Sequence, residues 1–254
     1  MDADCHWQMI SLNFMAENKS CNKLLTMPYD PMQVYQPETD TYLLLEAARK
    51  EVKAADRVLE VGTGSGIISR EIATLADVVA TDINPHAVLC ARRAGIEVVR
   101  TDLVRGLRCA FDLILFNPPY LPTGPEERMN DWLEYALDGG ESGRSVIERF
   151  ALTIDEVLAP EGRILLLISS LTGLSEVQAL FSDHGYVAGI VEQQTVEDEV
   201  LFVLKIFRKS RPTLAGTLVH VGGNYTHPTD ENQTQNLSIL HERVSGPAGG
   251  RPGE

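Results

Sequence analysis

Four consecutive residues, Asn117-Pro118-Pro119-Tyr120, combine a side-chain amide and an aromatic ring in one short stretch. They follow the apolar run 111–116, which predicts a short buried strand. The two prolines end that strand because neither can donate to a β-ladder, and they stiffen the loop that follows. The amide and the ring are therefore expected in a fixed relation at the carboxyl end of a strand, where open α/β sheets bind their ligands. Taken alone, the stretch is also compatible with an ordinary strand-to-loop turn.

A glycine-rich loop, Gly62-Thr63-Gly64-Ser65-Gly66, lies upstream at a predicted strand–helix junction. Glycines at such a junction let the backbone approach a ligand closely. The spacing differs from the G-x-G-x-x-G fingerprint, which places a pyrophosphate on the helix amides. Glu60 stands directly before the loop, and its carboxylate would repel a pyrophosphate and favour a cationic or zwitterionic ligand. A tight turn beside a solvated glutamate is the alternative.

Two further acids follow predicted strands. Asp82 ends the second strand, in a place where an acid commonly accepts hydrogen bonds from ribose hydroxyls. Asp102 follows the third strand, where its carboxylate or the neighbouring backbone could meet an adenine amine. Each acid alone could be a helix cap or a turn residue. Together with Glu60, however, they mark the ends of three consecutive strands, which lie side by side in a parallel sheet.

Strands and helices alternate along the chain. Predicted helices cover 43–52 (capped by Thr39 or Asp40), 67–75, 85–94, 144–158 (ended by Pro160 and Gly162) and 174–184, and predicted strands cover 57–61, 77–82, 97–101, 111–116, 163–168, 186–193 and 200–207. This alternation predicts an α/β fold, a doubly wound, seven-stranded, mostly parallel sheet. The acidic turn between the last two strands is too short for a crossover, so one strand near an edge is expected to be antiparallel. The long segment 117–141 is predicted to be a functional or mobile loop.

Composition sets the remaining limits. The 254 residues carry a formal net charge of −14, which disfavours a lone nucleic-acid binder with its usual basic face. Four cysteines without C-x-x-C spacing and scattered histidines predict neither a metal site nor a disulfide framework, and they favour a reducing cytoplasm. No apolar run or signal-peptide pattern predicts contact with a membrane. We expect an N-terminal extension, flexible or partly helical, over 1–33, one domain over 34–208 and a disordered tail over 209–254.

The glycine loop with its preceding acid, Asp82, Asp102 and the 117–120 stretch together resemble class I S-adenosylmethionine-dependent methyltransferases. The resemblance is closer to one branch, the HemK-like glutamine methyltransferases of translation release factors in their archaeal and eukaryotic form. That branch has a Y-x-P-x-E-D-T signature, similar to residues 35–41 except that Thr39 replaces the usual Glu. It also has T-D-I-N-P, found here at 81–85, and G-G-x-x-G-R, found here at 139–144. The resemblance covers about 34–208.

The resemblance implies a role for particular residues. The implied S-adenosyl-L-methionine contacts are Thr41, Glu60, Gly62, Gly64, Asp82, Asp102, Leu103 and Asn117. The implied substrate contacts are Asn117, Pro118, Pro119, Tyr120 and Leu121, of which Asn117, Pro118 and Tyr120 are the catalytic candidates. We expect the Asn117 side-chain oxygen and the Pro118 carbonyl to accept hydrogen bonds from the nitrogen that is methylated.

The implied activity is N5-methylation of the glutamine in the Gly-Gly-Gln motif of a class I release factor. A small zinc-binding activator protein is the implied partner, expected to cover an apolar strand edge. N6-adenine methylation of DNA or RNA is an alternative because an exocyclic amine poses the same chemical problem, but it predicts a basic groove and a target-recognition domain. Protein lysine methylation and a non-catalytic cofactor-binding protein are further alternatives.

Overall fold

The computed structural model describes residues 28–124, 126 and 131–209. The helices are α1 (Thr39–Glu51), α2 (Ile67–Ile72), α3 (Pro85–Arg93), α4 (Glu134–Leu137), α5 (Ser145–Thr153) and α6 (Leu174–Asp183). The strands are β1 (Arg57–Val61), β2 (Asp77–Asp82), β3 (Glu97–Arg100), β4 (Phe111–Phe116), β5 (Leu158–Ser169), β6 (Tyr186–Val196) and β7 (Glu199–Arg208). Short 3-10 turns cover Pro31–Gln33, Ile154–Glu156 and Ser170–Thr172. Most of the predicted extension 1–33 and nearly all of the predicted tail 209–254 lie outside the described residues, so those domain limits stay predictions.

The seven strands form one sheet in the order β3-β2-β1-β4-β5-β7-β6. All neighbouring strands are parallel except β7, which runs antiparallel to both β5 and β6. The predicted fold class is confirmed, including the antiparallel strand next to the β6 edge. The chain reverses direction beside β1, going out to β3 on one side and then to β4 on the other. A ligand cleft is expected at such a reversal.

Helices cover both faces of the sheet because the central strands are apolar on both sides. Leu113 and Leu115 of β4 pack with residues of α1 and α2 on one face. Ile114 and Phe116, the alternate residues, pack with residues of α5 and α6 on the other. All four side chains are almost completely buried. The strand is therefore held rigidly up to the residue that precedes Asn117.

Helix α1 begins earlier than predicted. The expected start at Leu43 with a cap at Thr39 or Asp40 is wrong, because both residues already lie in the first turn and Glu38 is the N-cap residue. The backbone N–H of Glu38 donates to Thr41 Oγ1 at 3.4 Å, which closes that turn. An acid in the first turn also interacts favourably with the helix dipole. The earlier start carries Asp40 into the protein interior, where it is 4% exposed.

Strand β5 also begins earlier than predicted. Pro160 and Gly162 were expected to end a helix, but both lie inside a strand that starts at Leu158. The pairing with β4 is irregular there, because the register shifts between Phe111 and Leu113. A bulge of this kind tolerates a proline, which has no N–H to donate.

Strands β6 and β7 are longer than predicted, because a two-residue turn of Glu197 and Asp198 joins them directly. Glu197 has a φ of 50°, as such hairpin turns require. Among the described residues, no helix is both long and apolar enough to cross a membrane.

Candidate active site at the carboxyl ends of the central strands

A cleft opens where β3, β2, β1 and β4 end side by side. Every residue that the sequence assigned to cofactor or substrate lines this cleft, namely Thr41, Glu60, Gly62, Gly64, Asp82, Asp102, Leu103, Asn117, Pro118, Pro119, Tyr120 and Leu121. The structure therefore brings these residues together, although they come from segments spread over about eighty positions of the chain.

Asn117 lines the cleft, and the two polar atoms of its side-chain amide differ in their contacts. Its Nδ2 donates to Asp40 Oδ2 at 2.9 Å. Its Oδ1 is buried and finds no hydrogen-bond partner among the described residues. An unpaired buried acceptor is costly and uncommon in folded proteins. The arrangement is therefore suited to a ligand that brings an N–H donor to this point of the cleft.

Asp40 is the centre of the hydrogen-bond network behind Asn117, and sequence reasoning did not select it as a site residue. Its Oδ2 also accepts from the hydroxyls of Tyr35 at 3.1 Å and Tyr120 at 3.3 Å. Burial, together with the nearby Asp40 carboxylate, raises the pKa of both tyrosines, so both hydroxyls remain protonated donors. Tyr35 and Asp40 both belong to the 35–41 signature, which offered a signal for them. Within that signature only Thr41 is among the predicted site residues, and its Oγ1 donates to Asp40 Oδ1 at 3.1 Å.

The glycine loop is shaped by left-handed backbone and by Asp82. Gly62, Gly64 and Gly66 have φ values of 69°, 53° and 78°, which favour glycine. The backbone N–H of Gly64 donates to Asp82 Oδ2 at 2.9 Å, and that of Asn84 donates to Oδ1 at 2.8 Å. Burial raises the pKa of Asp82 in spite of these bonds. A carboxylate has about four acceptor sites, so Asp82 keeps capacity for hydroxyl donors in the cleft.

Glu60 is almost completely buried at the end of β1, with 3% of its surface exposed. Its Oε2 accepts from Thr63 Oγ1 at 2.6 Å and from both the backbone and the hydroxyl of Ser69. Burial raises the pKa of Glu60 to about 7, although these hydrogen bonds favour the ionised form. A cationic ligand nearby would favour ionisation again.

Asp102 lies two residues beyond the end of β3 and is less buried than the other two acids. Its carboxylate forms an ion pair with Arg149 of α5, a residue that the sequence did not single out. The next residue, Leu103, has a φ of 53°, which is uncommon for a non-glycine residue. Asp102, Leu103 and Arg149 all line this end of the cleft.

The 139–144 motif packs against the backbone of the loop after β4. A Cβ on Gly139 would lie 2.5 Å from the Leu121 carbonyl oxygen, and one on Gly143 would overlap the carbonyl oxygen of Tyr120. Only glycine permits backbone contact this close. The motif thus explains how Tyr120 and Leu121 keep their position in the cleft.

Trp132 and Tyr135 form a further wall that no sequence pattern identified. Their rings stack with centroids 5.3 Å apart, and the guanidinium of Arg100 lies 5.4 Å from the Trp132 ring centroid. The Trp132 backbone N–H donates to Gln33 Oε1 at 2.9 Å, and Asn84 Nδ2 donates to the Gln33 carbonyl at 2.6 Å. Described residues of the predicted functional or mobile loop 117–141 therefore line the cleft, although part of that segment forms the short helix α4. Residues preceding α1 hold this segment through the Gln33 contacts.

Comparisons with known proteins agree with this geometry. Residues 36–130 match the model of the methyltransferase small domain family. A Methanocaldococcus jannaschii protein assigned to the protein N5-glutamine methyltransferases is 37% identical over 184 residues, covering 69% of this chain and 92% of that protein. Human methyltransferase HEMK2 is 36% identical over 194 residues, covering 70% of this chain and 90% of HEMK2.

The chain belongs to the HEMK2-like family of protein N5-glutamine methyltransferases. A solved structure supports the assignment. A chain of the E. cuniculi Mtq2–Trm112 complex, described as responsible for methylation of the translation termination factor eRF1, superposes with a TM-score of 0.60 at 31% identity. The match covers 70% of this chain and 100% of that one.

As a HEMK2-like methyltransferase, the protein is an S-adenosyl-L-methionine-dependent enzyme. The residues of the cleft fit that cofactor. It carries cationic groups, and the buried Glu60 carboxyl is paired with hydroxyl and N–H donors but with no cation among the described residues. Its ribose hydroxyls require acceptors, which Asp82 offers. Asn117 lines the same cleft, and its Oδ1 has no hydrogen-bond partner among the described residues, so it keeps its capacity to accept from a ligand.

Proposed function

We propose that the enzyme methylates the side-chain nitrogen of a protein glutamine, that of the Gly-Gly-Gln motif in a class I translation release factor. The observation that carries the proposal is the buried Asn117 Oδ1, an acceptor without a partner in the described part of the chain. The names of the relatives, which include glutamine methyltransferases and a complex that acts on eRF1, support it independently. The acidic net charge of −14 favours a protein substrate over a nucleic acid.

The bound cofactor supplies the methyl group from its sulfonium, so a sulfur–carbon bond breaks as a nitrogen–carbon bond forms. An amide nitrogen is a poor nucleophile because its lone pair is delocalised into the carbonyl. We propose that Asn117 Oδ1 and the Pro118 carbonyl accept hydrogen bonds from the two N–H groups of the glutamine. Both acceptors are fixed before the substrate arrives, and preorganised dipoles of this kind supply much of enzymatic catalysis.

Tyr120 would pack its ring against the face of the glutamine amide, with Pro119 and Leu121 completing the substrate contacts. This holds the nitrogen in line with the methyl group, and orientation alone can remove a large part of a bimolecular barrier. The nitrogen becomes cationic as the new bond forms. Its extra proton can then leave to solvent, so the proposed mechanism needs no early general base.

The cofactor contacts are part of the same proposal. Glu60 and Thr41 would meet its charged end, with the backbone at Gly62 and Gly64 beside it. Asp82 would accept from the ribose hydroxyls. Asp102 and the backbone at Leu103 would meet the adenine. The placement of all these groups in one cleft supports this assignment.

We further propose that a small zinc-binding activator protein pairs with a sheet edge of this enzyme, as the complex formed by its solved relative favours. The sheet has two edges, β3 and β6. A release-factor substrate would also place the enzyme in the cytoplasm. Hydrogen exchange of the two edge strands, with and without the activator, would test the pairing.

Mass spectrometry tests the main proposal. A purified release factor is incubated with the enzyme and S-adenosylmethionine, with and without the activator, and its peptides are sequenced. We expect one added methyl group on the glutamine of the Gly-Gly-Gln motif and none when that glutamine is replaced. With Asn117→Ala enzyme the same methyl group should appear about a hundredfold more slowly. Methylation confined to lysine, or to added RNA or DNA, would refute the proposed acceptor.

A further inference from the structure

We propose that Asp40 is the positioning residue that keeps the Asn117 amide turned with its oxygen toward the cleft. The inference rests on the proposed function only for what that oxygen binds; the contact between the two side chains is a feature of the protein itself. Asp40 and Asn117 are 77 residues apart in sequence, and the Asn117 Nδ2–Asp40 Oδ2 distance is 2.9 Å.

An asparagine amide needs such a device because its two ends are nearly the same size. Turning the amide over exchanges an acceptor for a donor at almost no steric cost, and the hydrogen-bond partners decide which orientation prevails. A carboxylate only accepts, so Asp40 selects the orientation with Nδ2 toward itself. The reversed amide would place Asn117 Oδ1 against Asp40 Oδ2 and an N–H donor in the cleft, which is the wrong polarity for receiving an N–H group.

Asp40 is itself held in one orientation. Its Oδ1 accepts from the Thr41 backbone N–H at 2.5 Å and from Thr41 Oγ1 at 3.1 Å. Its Oδ2 accepts from the Tyr35 and Tyr120 hydroxyls as well as from Asn117. Five donors therefore converge on one carboxylate that is 4% exposed. A buried, fully bonded group of this kind fixes its neighbours more firmly than a solvated one.

The negative charge of Asp40 has a second consequence for Asn117. A hydrogen bond from an amide N–H to a carboxylate is stronger than one to a neutral acceptor, and linked hydrogen bonds polarise one another. Electron density on Asn117 Oδ1 rises as Nδ2 donates to the charge. The unpaired Asn117 oxygen is therefore a better acceptor than that of a free asparagine side chain.

An exchange of the two side chains tests the proposal. We compare Asp40→Asn, Asn117→Asp and the double variant in the full-length enzyme, with the activator added to each. Asp40→Asn puts two amides face to face, which allows the Asn117 amide to turn over. Asn117→Asp puts a second carboxylate against Asp40. In the double variant, the amide introduced at position 40 donates to the carboxylate introduced at position 117, and an oxygen again faces the cleft.

We expect each single variant to lose kcat by on the order of a hundredfold, as when one preorganised transition-state contact is removed. The double variant should exceed either single variant by about tenfold or more, since contacting residues couple strongly in double-mutant cycles. The cofactor Kd should change much less than kcat in all three. A double variant no more active than the weaker single variant would overturn the proposal, because a loss of general integrity is not restored by a second substitution.

A nuclear magnetic resonance measurement does not depend on any substrate. In ¹⁵N-labelled enzyme, the side-chain amide protons of Asn117 should show the downfield shift of a bond to a carboxylate, and Asp40→Asn should abolish it. Asp77→Asn is the matched control, an exposed acid at the amino end of β2, the end opposite to the cleft residue Asp82, and it should change neither the resonance nor kcat. An Asn117 resonance that is the same in wild type and Asp40→Asn would refute the inference. If the wild type methylates no release factor, the proposed function fails, while this resonance still decides the role of Asp40.

Discussion

Replacing Glu60 by glutamine is expected to stabilise the cofactor-free enzyme while weakening its binding of S-adenosylmethionine. Glu60 is 3% exposed, and burial is the main reason that its pKa rises. Glutamine has nearly the same shape and can keep an acceptor oxygen toward Thr63 and Ser69. The substitution therefore removes the buried charge without opening a cavity.

The size of the effect follows from the pKa. The rise in the pKa of Glu60 from 4.5 to about 7 corresponds to a loss of about 3 kcal/mol of folding stability when the carboxyl is ionised, at about 1.4 kcal/mol per pKa unit. The folded protein holds the Glu60 proton more tightly than the unfolded chain does. The loss of folding stability caused by the buried carboxylate is therefore absent below the unfolded pKa, grows as the pH rises, and is complete above the folded pKa. Glu60→Gln should raise the free energy of unfolding by about 3 kcal/mol at about pH 8 and leave it unchanged at about pH 4.

Cofactor affinity should depend on pH in the opposite direction to stability and improve as the pH rises. A cationic ligand favours the ionised carboxyl, so binding near neutral pH should release a fraction of a proton, and the cofactor Kd should rise as the pH falls below about 7. Titration calorimetry in two buffers of different ionisation enthalpy measures the released proton. Denaturant unfolding across the same pH range measures the stability. Glu97→Gln, at an exposed position that starts β3, is the control.

Two results would show that this reasoning about burial is wrong. One is a free energy of unfolding that is the same for wild type and Glu60→Gln at every pH. The other is proton release on cofactor binding that persists unchanged in Glu60→Gln.

Three further predictions concern catalysis, the loop after β4 and the protein core. Asn117→Ala should lose about 3 kcal/mol of transition-state stabilisation, roughly a hundredfold in kcat, in a methyltransferase assay; turnover within about threefold of wild type would remove Asn117 from the mechanism. Gly143→Ala should displace the backbone at Tyr120, because the new Cβ overlaps the Tyr120 carbonyl oxygen and Gly143 has a φ of 69°. We expect a lower kcat/KM and a lower Tm. Unchanged values of both would contradict the supporting role of the 139–144 motif. Arg163→Met should lower the free energy of unfolding by about 3–5 kcal/mol in urea, since it leaves the buried Asp56 carboxylate, 2.6 Å from Arg163 Nη2, without its cation. Burial is the largest influence on the pKa of Asp56 and raises it, but the hydrogen bonds from Arg163 and the Lys53 backbone, with the charges of both residues, together lower the pKa. Wild-type stability from the Arg163 pair should therefore be lost as the pH falls through that lowered pKa, and the variant should show less of this loss.

Local signals in the sequence were sufficient for most of the architecture. Short apolar runs separated by glycine and proline predicted all seven strands, and the short turn at Glu197 and Asp198 predicted the antiparallel pair. These signals are reliable because strand burial and turn geometry depend on adjacent residues. The same reasoning failed at Pro160 and Gly162, where the irregular pairing of β5 with β4 accommodates residues that usually end an element.

The sequence by itself determined which strand ends carry acids, glycines and an amide, and therefore that a cleft at those ends would bind a polar, partly cationic ligand. Only the tertiary structure decided how those groups are oriented. The Asp40 carboxylate on Asn117, the Arg149 ion pair of Asp102 and the ring wall of Trp132 all join segments distant in the chain. No local pattern specifies such contacts, because a side chain's orientation and pKa depend on the neighbours that folding brings to it.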